Sequence, residues 1–247
     1  MKITVITVVF NNVSTLPDTI KSVASQQDVD LEYIIIDGGS TDGSLEVIKA
    51  YETIVSKWVS EPDAGIYDAM NKGISLATGD VIGFLNADDV YASTDVLKAI
   101  ANQFGDAEVL YGDLQYRKPD LKKVVRIWKS GNYKHGDFLL GWMPPHPTFY
   151  ARKSCFERWG GFRLELRSAA DYELMLRFLH KHHAKVVYLP KMMVHMRTGG
   201  VSNSSLNNRI NANQEDKKAW EMNGLNPWFF TLWLKPIRKL PQFVFFG

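Results

Sequence analysis

The sequence predicts an α/β fold with a mainly parallel, Rossmann-like central sheet flanked by helices, and three observations in its first third carry that reading. Short apolar runs rich in β-branched residues alternate with stretches whose apolar residues recur at helical spacing. The runs are apolar throughout rather than at every second residue, as strands covered on both faces must be. Acidic residues stand just past the ends of the runs, where an open α/β sheet binds its ligands.

The elements follow in order. Ile3 to Phe10 reads as the first strand, and Leu16, Ile20, Val23 and Ala24 then share one helical face. Tyr33-Ile34-Ile35-Ile36-Asp37 is a second buried strand. It ends in Gly38-Gly39-Ser40-Thr41-Asp42-Gly43, a turn into a helix carrying Leu45, Val47, Ile48 and Tyr51. Val55 to Val59 is a third short strand, and Ile66, Met70 and Ile74 mark the next helix. Val81-Ile82-Gly83-Phe84-Leu85 is a further buried strand. This βαβ rhythm implies right-handed crossovers and a crevice at the strand ends.

Asp88 and Asp89 follow that last strand. Adjacent acids repel, so folding alone gives no reason for the pair. A divalent cation carrying a diphosphate gives one; a helix cap or turn is the plainer alternative. Asp37 closes an apolar strand and faces the same crevice, either to accept a hydrogen bond from the ring N–H of a uracil-like base or to cap its glycine turn. In the loop-to-helix stretch Ser60 to Gly73, Lys72 is a point charge for a phosphate or plain solvated surface.

The middle is less regular. Ser93 is expected to cap a helix through Val96, Leu97 and Ile100. Glu108 to Gly112 and Val124 to Trp128 read as strands joined by a charged loop, Arg117 to Lys123. Gly141 to Pro147 is too rich in proline for a helix; its Trp142 and His146 either floor a sugar pocket or belong to a rigid connector. A strand Thr148 to Ala151 follows. Tyr172, Met175, Leu176 and Leu179 form a helical face that sets Asp171 in the first turn, as a general base or as an acid favoured by the helix dipole. Val186 to Leu189 and Met192 to His195 read as two strands. His195 is either an extra metal ligand or a hydrogen-bonded strand histidine. Arg197 to Ser205 is polar and glycine-bearing, which suits a lid.

After Asn226 the character changes. Trp228, Phe229, Phe230, Trp233, Phe243, Phe245 and Phe246 are interleaved with Lys235, Arg238 and Lys239, with no acid. That pattern suits a segment lying on an anionic membrane, or a tail packed onto the core. The expected division is a catalytic domain at 1–205 (a nucleotide-sugar half at about 1–112, an acceptor half at about 113–205) followed by a C-terminal helix and tail at 206–247. The net charge of +2 implies no nucleic-acid surface. One cysteine, Cys155, excludes an internal disulfide. The first strand follows the N-terminus without a basic-apolar leader, and no run of about 18 apolar residues occurs, so a cytoplasmic protein, peripheral on the inner membrane, is expected.

Together "ITVVFNN", "IIIDGGSTDGS", "SEPDAGIYDAMNKGI", "FLNADD" and "AADYELMLR" resemble, in order, the segments of glycosyltransferase family 2, the inverting enzymes of the GT-A fold. The resemblance covers roughly Lys2 to Ser205 and is nearest to bacterial transferases that build exopolysaccharide, capsule or O-antigen units. It implies transfer from a nucleotide-diphosphate sugar, UDP-linked, to a glycan or polyprenyl-diphosphate-linked acceptor, with Mg²⁺ or Mn²⁺. By the same resemblance Phe10 lies against the nucleobase, Asp37 binds its ring nitrogen, and Asp63 and Lys72 line the nucleotide pocket. Asp88 contacts the ribose, Asp89 the metal, and Asp171 is the catalytic base; Trp142, His146 and Arg197 are left for the acceptor side and the lid. Two positions depart from the family pattern: Asn86 replaces the first acid of its Asp-x-Asp-type motif, and Ala170 stands where many members carry an acid. Rival readings are weaker. A nucleotidyltransferase needs cations after the first strand, where Phe10-Asn11-Asn12-Val13 stands, and a dehydrogenase needs a glycine fingerprint that is missing. A silent partner subunit of a synthesis complex would not need its acids intact.

Overall fold

The computed structural model describes residues 1–199 and 206–243, with the backbone alone at 206–212 and 240. Four parallel strands, β1 (Lys2–Val9), β2 (Asp30–Asp37), β3 (Lys57–Ser60) and β4 (Val81–Phe84), lie in the order β3-β2-β1-β4. Between them run α1 (Leu16–Ala24), α2 (Ser44–Ala50) and α3 (Ile66–Leu76). Every residue from Ile3 to Val9 is buried, because helices cover both faces.

Side-chain alternation sorts the core into two layers. Ile6, Val8, Ile34, Ile36, Ile82 and Phe84 face α3 and the later helices; Ile3, Val5, Val9, Tyr33, Ile35 and Val81 face α1, α2 and α4 (Val96–Phe104). Gly83 is required by close approach: a Cβ there would lie 2.1 Å from the ring of Tyr150, whose hydroxyl is paired with that of Tyr91.

Beyond β4 the sheet departs from the parallel expectation and becomes mixed. β8 (Tyr150–Arg152) is antiparallel to β4 and to β6 (Val109–Arg117). β9 (Val186–Arg197) runs parallel to β6, and the two-residue β5 (Val90–Tyr91) closes the edge antiparallel to β9. β7 (Val124–Trp128) forms a hairpin with β6, since their connection is too short for a crossover helix. The two strands expected at 186–189 and 192–195 are one strand. Register shifts opposite Asp113 absorb Pro190, which cannot donate to a ladder.

On the layer facing α3 lie α5 (Lys153–Trp159), α6 (Ala170–Met175) with a π-helical continuation at Leu176–Lys181, and α7 (Leu206–Met222). Trp220 of α7 is fully buried and donates from Nε1 to the Tyr172 hydroxyl at 2.9 Å, so this helix completes the core. The short α8 (Thr231–Ile237) docks through Thr231, whose Oγ1 donates to the Leu139 carbonyl, and through Lys235, paired with Asp216 at 2.7 Å. One side of the tail thus packs on the core. The other leaves Phe229 92% and Trp233 70% exposed.

Candidate active site

The carboxyl ends of β1, β2 and β4 form one rim, and local chemistry fixes each of them. Asn11 takes the left-handed conformation (φ 48°) just past β1, which asparagine tolerates better than most residues. Its N–H donates to Ser40 Oγ at 2.8 Å, and its Oδ1 accepts from the Thr41 N–H at 2.9 Å, so the β1 and β2 turns are tied together. Between them Phe10 is held 65% exposed. Its ring lies over Gly38, where a Cβ would come 3.4 Å from the ring and 2.5 Å from Asp63 Oδ2; only glycine lets the two meet.

Asp37 is fully buried and accepts from Ser40 N–H, Ser40 Oγ and Ser60 Oγ. The Ser40 N–H is shared between the two oxygens, at 3.3 and 3.1 Å, so the carboxylate is tied down at both. Asp63 accepts from the Gly65 N–H at 2.8 Å, setting the entry to α3. Lys72 is tied within the same loop, 2.8 Å from Glu61 and 3.1 Å from the Pro62 carbonyl, and Glu61 raises its pKa.

Past β4 the polar groups are incompletely paired. Asp89 is fully buried; Oδ1 accepts one long bond, 3.3 Å, from the Arg197 N–H, and Oδ2 has no partner. Burial, then the charge of Asp88, pushes its pKa well above the carboxylate range. Asp88 is partly exposed and is shifted upward by its own burial. Asn86 Oδ1 is likewise buried without a partner. Arg197 lies beneath this turn rather than over it. Nε donates to the Pro119 carbonyl, Nη1 to the Asp88 carbonyl at 2.6 Å, and Nη2 to Asp18 at 2.6 Å. Its fork is therefore filled. Of the lid expected at 197–205, residues 200–205 lie outside the described residues.

Asp171 stands in the first turn of α6, partly exposed, accepting from the Tyr67 hydroxyl at 3.3 Å and the Tyr172 N–H at 2.8 Å. Two residues on, buried Glu173 engages Arg177 through both oxygens (3.0 and 2.9 Å), and Arg177 also holds the Gly160 and Gly161 carbonyls. That fork anchors the helix and so fixes Asp171. Burial, with Asp171 adding to it, keeps the Tyr67 phenol protonated. Tyr116 is raised by its own burial, with Arg126 over its ring pulling the other way and the charges of Asp89 and Asp171 adding smaller upward pushes.

His146 is half-buried with its Nε2 enclosed and unpartnered, stacks on Phe84 at 5.8 Å, and has its pKa lowered by desolvation against the opposing pull of Asp171. Trp142, by contrast, sits in the core. It stacks on Tyr133 and donates to the Ser130 carbonyl at 3.0 Å.

The fold thus brings Phe10, Gly38 and Asp63 together, ties Tyr67 to Asp171, and sets Asp88 and Asp89 in one turn past β4. Tyr67, Tyr116 and Asn11 were not singled out from the sequence. Tyr67 does lie in the segment "SEPDAGIYDAMNKGI", whereas nothing local marks Tyr116.

Among the described residues no three or more His, Cys, Asp or Glu side chains are grouped to hold a metal. His195, open between a metal ligand and a plain strand histidine, is half-buried on β9 between Val90 and Gln115, its pKa lowered to about 4 by burial and then by Arg117; it joins no such group. The donors that do lie together in the chain are oxygens: Asp88, the free Oδ2 of Asp89 and the free Oδ1 of Asn86. That set fits Mg²⁺ or Mn²⁺, because such ions are commonly held by one or two carboxylates with substrate phosphates and water. Asp88 is the more accessible carboxylate; Asp89, the expected ligand, is sealed from solvent.

Comparison with known proteins agrees with this architecture. The family described as Glycosyl transferase family 2 matches residues 4–171. An uncharacterized glycosyltransferase of Mycobacterium tuberculosis is 34% identical over 181 residues, covering 71% of this chain and 68% of that protein. A PGL/p-HBAD biosynthesis glycosyltransferase of Mycobacterium bovis is 29% identical over 201 residues, 78% of this chain and 76% of its own. Among solved structures, Staphylococcus aureus TarS 1–349 in complex with UDP-GlcNAc superposes with a TM-score of 0.69 at 16% identity, covering 90% of this chain. This chain spans 65% of that one. A Pyrobaculum calidifontis mannosyltransferase in complex with GDP-Man and Mn²⁺ gives 0.65 at 18% identity, covering 99% and 75%. The fold shared with them is GT-A.

Proposed function

The chain belongs to glycosyl transferase family 2, and from that premise we propose that it moves a sugar from a nucleoside-diphosphate sugar to the hydroxyl of a glycan or lipid-linked acceptor, with inversion at the anomeric carbon. The observation that carries this is the rim itself: an exposed ring at Phe10, polar turns at two strand ends and incompletely paired acids past β4, to which the reading adds Asp171 as the base.

The reaction needs a surface for the base, a counter-charge for the leaving diphosphate, and a proton acceptor. Phe10 is the stacking face for the nucleobase, with Asp63 beside it and Asp37 at the end of β2 as the acceptor for the ring N–H. Asp88, Asp89 and Asn86 are the oxygen donors for Mg²⁺ or Mn²⁺, which when bound neutralises charge on the departing diphosphate. Asp171 takes the proton of the attacking hydroxyl. The Tyr67 phenol holds it by one hydrogen bond, and Glu173–Arg177 keeps its helix in place. His146, on the loop beside Asp171, borders the acceptor side.

UDP is favoured as the carrier on the chemistry of Asp37, which offers an acceptor to a ring N–H. The TarS complex with UDP-GlcNAc supports the same class of donor. Incubation with radiolabelled UDP- and GDP-linked sugars, Mn²⁺ and a membrane lipid extract tests the reading: label should move into the lipid fraction as nucleoside diphosphate is released. Absence of both nucleotide binding and diphosphate release for every donor would end it.

The exposed tail face supports a peripheral site on a membrane, with Phe229, Trp233 and Ile237 outward. No described helix is long and apolar enough to cross one. Since the other tail face covers the core, substitution tests this better than truncation. Phe229→Ser with Trp233→Ser should shift the protein out of the vesicle-bound fraction without lowering its melting temperature.

A further inference from the structure

A cavity of about 240 Å³ opens where α8 meets the β7 end and the loop after Leu140. Its wall includes Lys129, Lys235, Arg238 and Lys239, with Trp128 and Trp142, and no acid. Lys235 is already neutralised by Asp216. Lys129 and Arg238 are exposed, and neither has an acidic partner within 4.0 Å among the described residues. Behind the wall a further cation is buried: Arg126 donates from Nε to Gln242, a lining residue, and stacks on Trp128, while its Nη2 has no partner. Lys129 and Arg238 are therefore a concentration of positive charge with no acidic partner within 4.0 Å among the described residues.

Three features identify what would balance it. Lysine and arginine together select phosphate oxygens. The volume is below the roughly 300–1,000 Å³ of pockets that enclose drug-sized ligands, so it suits a headgroup rather than a whole sugar nucleotide. The segment that lines it also carries the exposed aromatic face, with Trp233 and Ile237 one turn apart on α8 and Phe243 just beyond. An anionic head would sit in the cavity while its chain lies along that face.

The cavity also adjoins the reacting end. Lys235 Nζ lies 3.8 Å over the ring of Tyr172, the neighbour of Asp171. The loop that supplies Trp142 and Met143 continues to His146, which stacks on Phe84 at the end of β4. We propose that this cavity binds the phosphate headgroup of a lipid-linked acceptor, fixing its sugar toward Asp171. The proposal rests on the glycosyl-transfer reading for its purpose, but its test does not need turnover.

The test is flotation of the full chain with phosphatidylcholine vesicles, plain or doped with a polyprenyl diphosphate or with phosphatidylglycerol. Polyprenyl diphosphate should tighten binding, and Lys129→Ala with Arg238→Ala should weaken it about 25-fold, at about fivefold per cation. Charge-retaining Lys129→Arg with Arg238→Lys should keep the affinity. An unchanged affinity in the alanine pair overturns the proposal. So does equal tightening by phosphatidylglycerol, which would make this a general anionic surface. Inorganic pyrophosphate bound as tightly, with the same sensitivity to the alanine pair, would also overturn it and make the ligand a soluble diphosphate. UDP binding by thermal shift on the same samples separates the two claims: its loss in the wild-type protein would sink the transferase reading, not the cavity.

Discussion

Glu32, near the start of β2, and Asp89, just past the end of β4, are carboxylates withdrawn from solvent at opposite ends of one sheet. Glu32 receives the Thr78 N–H and Oγ1 at 2.7 Å each and Thr4 Oγ1 at 2.7 Å, with Lys2 at 3.5 Å and Lys57 at 3.6 Å. Burial alone would raise its pKa; the Thr78, Thr4 and Lys2 contacts outweigh it and bring the group down to about 2. Asp89 receives one long bond, keeps an oxygen with no partner, and has Asp88 beside it. The fold surrounds Glu32 with donors and leaves Asp89 nearly without them. Buried polar groups are nearly always paired, so an unpaired one that folding does not explain is evidence of a ligand.

The contrast makes opposite demands on the two ends. Neutralising a carboxylate at the rim should cost chemistry and leave the fold intact; neutralising Glu32 should do the reverse. The largest effect is expected from Asp171→Asn, which keeps the shape and removes the base. Transfer should fall about 10²–10⁴-fold while donor affinity stays within twofold. Unchanged turnover, measured as released nucleoside diphosphate, removes Asp171 from the role. Glu32→Gln comes next. It leaves donors facing an amide and should cost about 3 kcal/mol, which in a chain of this size is a fall in Tm of roughly 6–12 °C. Donor affinity should survive at low temperature.

The pH dependence of stability sharpens the same point. Glu32 is held below its ordinary value near 4.5, so the unfolded chain binds a proton before the folded one does. Its contribution is complete above about pH 4.5 and is lost as pH falls through about 2. Glu32→Gln should flatten denaturant-melt stability across that window. A wild-type curve with the same slope as the variant's would show that the Glu32 network contributes nothing.

Asp89→Asn probes the other end. The variant relieves repulsion from Asp88 and the burial of a charge, so Tm in metal-free buffer should rise by a few degrees, while Mn²⁺-dependent donor affinity drops about tenfold. A fall in Tm with intact metal-assisted binding by calorimetry would make Asp89 a structural residue like Glu32.

The nucleotide half was legible in the sequence because its strands are buried on both faces and its acids follow them immediately. Those are local patterns, and Ile3–Phe10, Tyr33–Asp37 and Val81–Leu85 display them. The second half was not. Pro190 suggested a break, yet a register shift carries β9 through it, and β5 is too short to announce itself. Arg197 looked like part of a lid because glycines follow it, but its guanidinium meets Asp18, 179 positions upstream. Tyr67 and Asp171 are 104 positions apart, and no periodicity links them.

That last pair sets the smallest expected effect. The Tyr67 phenol donates to Asp171 at 3.3 Å, near the outer limit for a hydrogen bond, so its contribution is at the low end of about 0.5–1.5 kcal/mol. Tyr67→Phe keeps the ring stacked on Phe162 at 5.5 Å and removes only the hydroxyl. Without that donor the carboxylate is less firmly oriented toward the attacking hydroxyl. A loss of two- to tenfold in kcat is expected, with the donor KM unchanged because Tyr67 touches the base and not the nucleotide turns. If KM rose while kcat held, Tyr67 would belong to the donor side of the rim, and Asp171 would owe its orientation to the Tyr172 N–H and the Glu173–Arg177 anchor alone.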